Sequence, residues 1–199
     1  MRKDFGSKTW VYPMPVLILA AYGPEGEAMA MNVGWGGVGS FENVIIGLER
    51  HHKTTEYVLA SGAFTLSPAT ADQLVACDYV GIDSGTDVPD KMARSGFHWH
   101  RSEHVNAPLL EELPMTLECE VVSYDPEAEL LIGRVVNVSA DESILGDNGR
   151  IDADKAHFLT LDPSSLRYRT LGPVVGRAFH DGIVLSGKEK SKPFEDKIV

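Results

Sequence analysis

Positive charge is scarce in this chain. Its 199 residues carry 18 Lys and Arg against 29 Asp and Glu, for a formal net charge of −11 and a pI near 5.0. That balance excludes a general nucleic-acid binder, which needs a basic face to neutralise phosphates. Long apolar runs are missing too. The longest early one, residues 16–22, follows Pro13 and Pro15. It is too short to span a bilayer and badly placed for a signal peptide, so no membrane association is expected. Cysteine is nearly absent: Cys77 and Cys119 form no CxxC pair and no disulfide framework. Both read as reduced thiols of a cytoplasmic protein. Cys119 falls in step with Leu117 and Val121, which marks it as a small core residue.

What is present describes one globular domain. Hydrophobic content of 43% and charged content of 24% are ordinary, and the length suffices for a real core. Strands are predicted at 16–22 and 28–33, as a hairpin around Pro24-Glu25-Gly26, then at 44–48 and 63–67. The long runs 115–124 and 130–139 form an antiparallel hairpin turning at Asp125-Pro126, and 158–161 is one more strand. Short helices are predicted at 56–61 with Thr54 or Thr55 as N-cap, from the capping-box pattern Thr70-x-x-Gln73 to about Val80, and at 89–95. The alternation of a doubly wound sheet is missing, and so is GxGxxG. The expectation is therefore a mainly β fold, a β-barrel decorated with short helices. The domain covers 1–185, with a charged C-terminal tail at 186–199.

Three constellations carry chemistry. The first is "MNVGWGGVGS", where Asn32, Val33, Gly34, Trp35 and Gly36 follow a strand-like run. Glycines here make either a barrel corner with tight turns or a backbone platform for a flat heteroaromatic ring. The second is Arg50-x-x-Lys53-Thr54-Thr55 at a helix start. There, free N–H groups, the helix dipole and two hydroxyls offer an anion site, or else form a plain N-cap in a solvated loop. The third is Ser84-Gly85 with Lys91 six residues on, again a loop before a helix. His51-His52 and His98-x-His100-x3-His104 lack a cysteine or carboxylate at a familiar ligand spacing, so no metal is expected. No nucleophile pair or GxSxG appears.

The stretches "KTWVYPMPVLILAAYGPEGEAMAMNVGWGG", "KTTEYV", "CDYVGIDSG", "DKMARSGFHW", "APLLEELPMTLECEVV" and "LLIGRVVNV" together resemble the flavoredoxin branch of the flavin reductase-like family. The likeness runs in order over about residues 5 to 180. It implies an FMN-binding split β-barrel that works as a homodimer, with FMN near each subunit interface. By the resemblance, Asn32, Val33, Gly34, Trp35 and Gly36 would line the isoalloxazine. Arg50 or Lys53, Thr54, Thr55, Ser84, Gly85 and Lys91 would surround the phosphate. The flavin would carry the chemistry with no catalytic side chain. The electron donor would be NAD(P)H in a flavin reductase or a redox protein partner in an electron carrier. Two segments depart from relatives: Phe41-Glu42-Asn43 stands where many carry Asp-Pro-Pro, and Pro126-Glu127-Ala128-Glu129 where short-chain flavin reductases often have Gly-Asp-His, a motif linked to nicotinamide binding.

Overall fold

A computed structural model describes residues 1–185; the tail assigned at 186–199 lies outside the described residues. The chain runs through β1 (Met14–Pro15), β2 (Leu17–Tyr22), β3 (Ala28–Val33), β4 (Gly36–Val38), β5 (Asn43–Gly47), α1 (Lys53–Ser61), β6 (Ala63–Pro68), α2 (Leu74–Ile82) and α3 (Lys91–Ser95). It continues with β7 (Trp99–Arg101), β8 (Pro108–Leu110), β9 (Met115–Asp125), β10 (Leu130–Ala140), α4 (Ala153–Ala156), β11 (Leu159–Asp162) and β12 (Arg167–Thr170). No described helix is long and apolar enough to cross a membrane.

Seven strands form the main sheet in the order β3-β2-β6-β9-β10-β5-β4, with β7-β8 and β1-β11-β12 as smaller sheets. The two edges of the main sheet, β3 and β4, are separated in sequence only by Gly34-Trp35. Three Cα–Cα steps span at most about 11 Å, so the sheet must curl until its edges nearly meet. This is a barrel left open along one seam, a split barrel. The core packs on both faces of the sheet: Leu19, Phe64, Leu66 and Cys119 share one face by their pairing, Ile18 points to the opposite face of β2, and Val58 of α1 joins the same buried cluster. Gly133 on β10 admits the Phe64 ring, because a Cβ there would lie 2.3 Å from Phe64 Cζ. The β9–β10 register shifts beside it, between Ile132 and Gly133.

Several local expectations are corrected. Helix α1 starts earlier, at Lys53. Its N-cap is His52 in an extended conformation with no side-chain cap, so neither Thr54 nor Thr55 caps it. The Thr70–Gln73 box does not form. Thr70 is bridged to Phe158 in antiparallel fashion, which ties it to the strand side, and α2 begins after an uncapped Gln73 and extends to Ile82. The helix expected at 89–95 is confined to Lys91–Ser95. The glycine stretch itself contains a strand, β4, paired to β5.

Candidate functional site

The seam between the sheet edges is where β3 hands over to β4, and edge strands there leave backbone groups unpaired by the ladder. Three elements close on it. Helix α1 points its N-terminus at the seam, α2 packs along β3, and the turn at Ser84 leads into α3. Gly81 makes the second contact feasible: a Cβ there would sit 2.9 Å from Asn32 Cβ. Asn32 Nδ2 then donates to the Cys77 carbonyl at 3.0 Å, which fixes the Asn32 side chain against α2.

A corner of about 270 Å³ opens among these elements, lined by Asn32, Trp35, His52, Lys53, Thr54, Gly81, Asp83, Ser84, Gly85 and Lys91. Seven of the residues singled out from the sequence therefore converge: Asn32, Trp35, Lys53, Thr54, Ser84, Gly85 and Lys91. On its other side Trp35 joins Gly34 and Gly36 in an apolar groove of about 730 Å³, walled by Val11, Pro13, Met14, Val38 and Ile45. The remaining three do not reach the corner. Val33 is buried in the core. Thr55 is fully buried, and its hydroxyl donates to the Glu49 carbonyl at 2.8 Å. Arg50 sits exposed in the turn before α1, near Tyr124 on β9, whose pKa burial raises and the Arg50 charge only partly pulls back.

The corner holds donors in excess. Among the described residues no hydrogen bond satisfies the first-turn N–H groups of Lys53, Thr54 and Thr55, and the helix lacks a side-chain cap, leaving a positive helix end. Lys91 is 3% exposed, and its ammonium makes no hydrogen bond or ion pair among the described residues. Burial pushes its pKa down to about 8, while Asp83 pulls the other way. Lys53 is better tethered, 3.1 Å from Glu56 and 5.0 Å from the centre of the Tyr57 ring. A phosphate fits this arrangement: it would occupy the uncapped helix end and give the buried ammonium the anion it lacks.

Sequence reasoning missed His52, whose place beside Lys53 was the available signal, and the groove wall from Val11 to Met14. Glu49, His51 and His52 bring three ligand-type atoms within 4.8 Å of one another. However, Nδ1 of His52 is buried with no hydrogen-bond partner among the described residues, so none of them supplies the acceptor that usually orients a ligating histidine. His98 and His100 instead face carboxylates, at 2.7 Å from Glu112 and 3.4 Å from Glu111.

The fold is that of split-barrel flavin proteins. It superposes on the FMN-binding domain of a flavin reductases-like enzyme from Shewanella baltica with a TM-score of 0.72 at 21% identity, covering 82% of this chain and 88% of that one. The likeness is greater to the flavoredoxin of Desulfovibrio vulgaris (Miyazaki F), with a TM-score of 0.87 and 30% identity over 92% of this chain and 100% of that chain. For the flavoredoxin of Methanosarcina acetivorans the TM-score is 0.83 and the identity 26%, over 93% and 99% of the two chains. Residues 9–156 match the model of the flavin reductase like domain. No curated protein sequence matches significantly. The chain belongs to the flavin reductase-like family and, within it, to the flavoredoxin branch. A flavin-linked redox function goes with that membership.

Proposed function

We propose that this chain is an FMN-dependent oxidoreductase of the cytoplasm that works as a homodimer. The observation that carries the reading is the corner beside α1: an uncapped helix N-terminus and a buried Lys91, without an ion pair among the described residues, facing one cavity. Lys91, Lys53, Thr54 and the α1 N–H groups would hold the phosphate, with Ser84 and Gly85 closing the far side. The backbone of Asn32, Gly34, Trp35 and Gly36 would line the ring at the seam, where edge groups are free to address its polar rim. Bound FMN would accept hydride or electrons and pass them on. The protein's part is to neutralise the phosphate, orient the ring and shield it from water, and no side-chain acid or base is required. A ring lying on an open seam has one face uncovered by its own subunit. A second copy related by a two-fold axis covers it most economically.

A second reading is an FMN-binding electron carrier reduced by a partner protein without oxidising NAD(P)H itself. It is favoured by the β9–β10 turn, where Pro126-Glu127-Ala128-Glu129 replaces the nicotinamide-linked motif of short-chain flavin reductases. Mixing the FMN-loaded protein anaerobically with NADH or NADPH separates the two. Rapid bleaching of the flavin absorbance supports the reductase. Bleaching only when a reduced redox protein is supplied supports the carrier, and a preparation that takes up no FMN refutes both.

A further inference from the structure

β12 ends at Thr170, and the chain then leaves the body of the domain. Every residue from 171 to 185 is exposed except Ile183, which is half-buried. Five of them carry large aliphatic side chains: Leu171, Val174, Val175, Val184 and Leu185, with Val175 97% exposed. No backbone group of residues 172–176 is hydrogen-bonded to another described residue. Yet the segment has features of order. Pro173 fixes its own φ, and Val174 and Val175 are stiff β-branched residues. The far end is folded locally. The Asp181 carboxylate accepts from Arg177 N at 2.8 Å and lies 3.0 Å from His180, ahead of a 3₁₀ turn at Asp181–Leu185. The result is a stiff strap with a shaped tip, on which Val174, Val175, Val184 and Leu185 are each more than four-fifths exposed. Contiguous apolar surface of this kind marks an interaction site.

A surface of matching character lies across the seam. The groove of about 730 Å³ beside Trp35 has no charged residue in its lining, and Val11, Val38 and Phe41 stand exposed along it and beyond it. The strap sequence "LGPVVG" is likewise uncharged. In a chain with a net charge of −11, two copies repel over most of their surface, so two uncharged, apolar faces are where they can meet.

We propose that residues 171–185 of one copy lie in the groove of a second copy, so that the dimer forms by reciprocal exchange of straps and each strap walls the ring end of its partner's flavin site. This rests on the homodimer reading above and adds the segment that makes the contact. The test uses the full chain carrying Val174→Asp and Val175→Asp, both on exposed positions where folding is spared. Light scattering and sedimentation velocity follow the dimer over a dilution series, circular dichroism verifies the fold, and FMN titration is run on the same samples. Desolvating two carboxylates in an apolar groove should raise the dimer dissociation constant about a hundredfold or more. Val38→Asp on the receiving side should do the same. A variant that dimerises as tightly as the parent, as it would if the strap folded back on its own groove, overturns the proposal, and so does a monomeric parent. The FMN titration reads the flavin proposal separately: a dimer that binds no FMN refutes the cofactor and leaves the strap standing.

Discussion

Replacing Lys91 by methionine should make the ligand-free protein more stable and its FMN complex weaker. The side chain is 3% exposed, and its pKa is pushed down from 10.5 to about 8, chiefly by burial. The unfolded chain therefore holds this proton more tightly than the folded one. Stability is lowered throughout the range below pH 8 and recovers as pH climbs from about 8 to 10.5. The drop from 10.5 to about 8 corresponds to about 3 kcal/mol at neutral pH. Lys91→Met keeps the length of the stem and removes the charge. Urea unfolding of the ligand-free variant at pH 7 should show a gain of up to about 3 kcal/mol, with the rise between pH 8 and 10.5 abolished. FMN should lose one charge-assisted contact of about 1.5–3 kcal/mol, roughly a 10- to 150-fold weaker complex by fluorescence titration. A variant that is less stable without ligand and binds FMN as before would refute the reasoning, because the ammonium would then be satisfied inside the protein.

Other outcomes follow from the same geometry. Lys53→Ala combined with Thr54→Val should weaken FMN binding at least tenfold in the same titration, while the circular dichroism spectrum stays unchanged. Gly133→Ala should cost about 1–3 kcal/mol in urea unfolding, since its Cβ would fall 2.3 Å from Phe64 Cζ, a ring locked in the core. Glu118, 1% exposed, accepts from Asn137 Nδ2 at 2.7 Å and from the Ser102 hydroxyl. Glu118→Ala should therefore destabilise the protein by about 2–3 kcal/mol by thermal or urea melting, because the buried Ser102 hydroxyl and the half-buried Asn137 amide lose their acceptor.

The elements that were readable from sequence are those whose pattern and packing agree. The hairpin β2–β3 and the long pair β9–β10 have β-rich apolar runs bounded by proline and glycine turns, and they lie where expected. The strand β4 did not announce itself, because Gly36 and Gly37 have low strand propensity and are held only by pairing to β5. β1, β7, β8 and β12 have two to four residues each, too few to show alternation. Cap signals failed where tertiary structure claimed the residue first, as at Thr70. In the site, Lys53, Thr54, Ser84 and Lys91 stood out by residue type, and the fold gathers them around one cavity. Thr55 belonged with them only in sequence. One step along a helix turns a side chain by about 100°, which sends Thr54 to the corner and Thr55 to the Glu49 carbonyl.

Titrating the ligand-free protein with FMN, riboflavin and FAD in parallel tests most directly that the corner at α1 and Lys91 is a monophosphate site for a flavin. FMN should bind tightest. Riboflavin, which shares the ring but lacks the phosphate, should bind at least a hundredfold more weakly. FAD should also bind more weakly, since no second mononucleotide site stands beside this corner among the described residues. Equal affinities for riboflavin and FMN, or no binding of any flavin, would contradict the account.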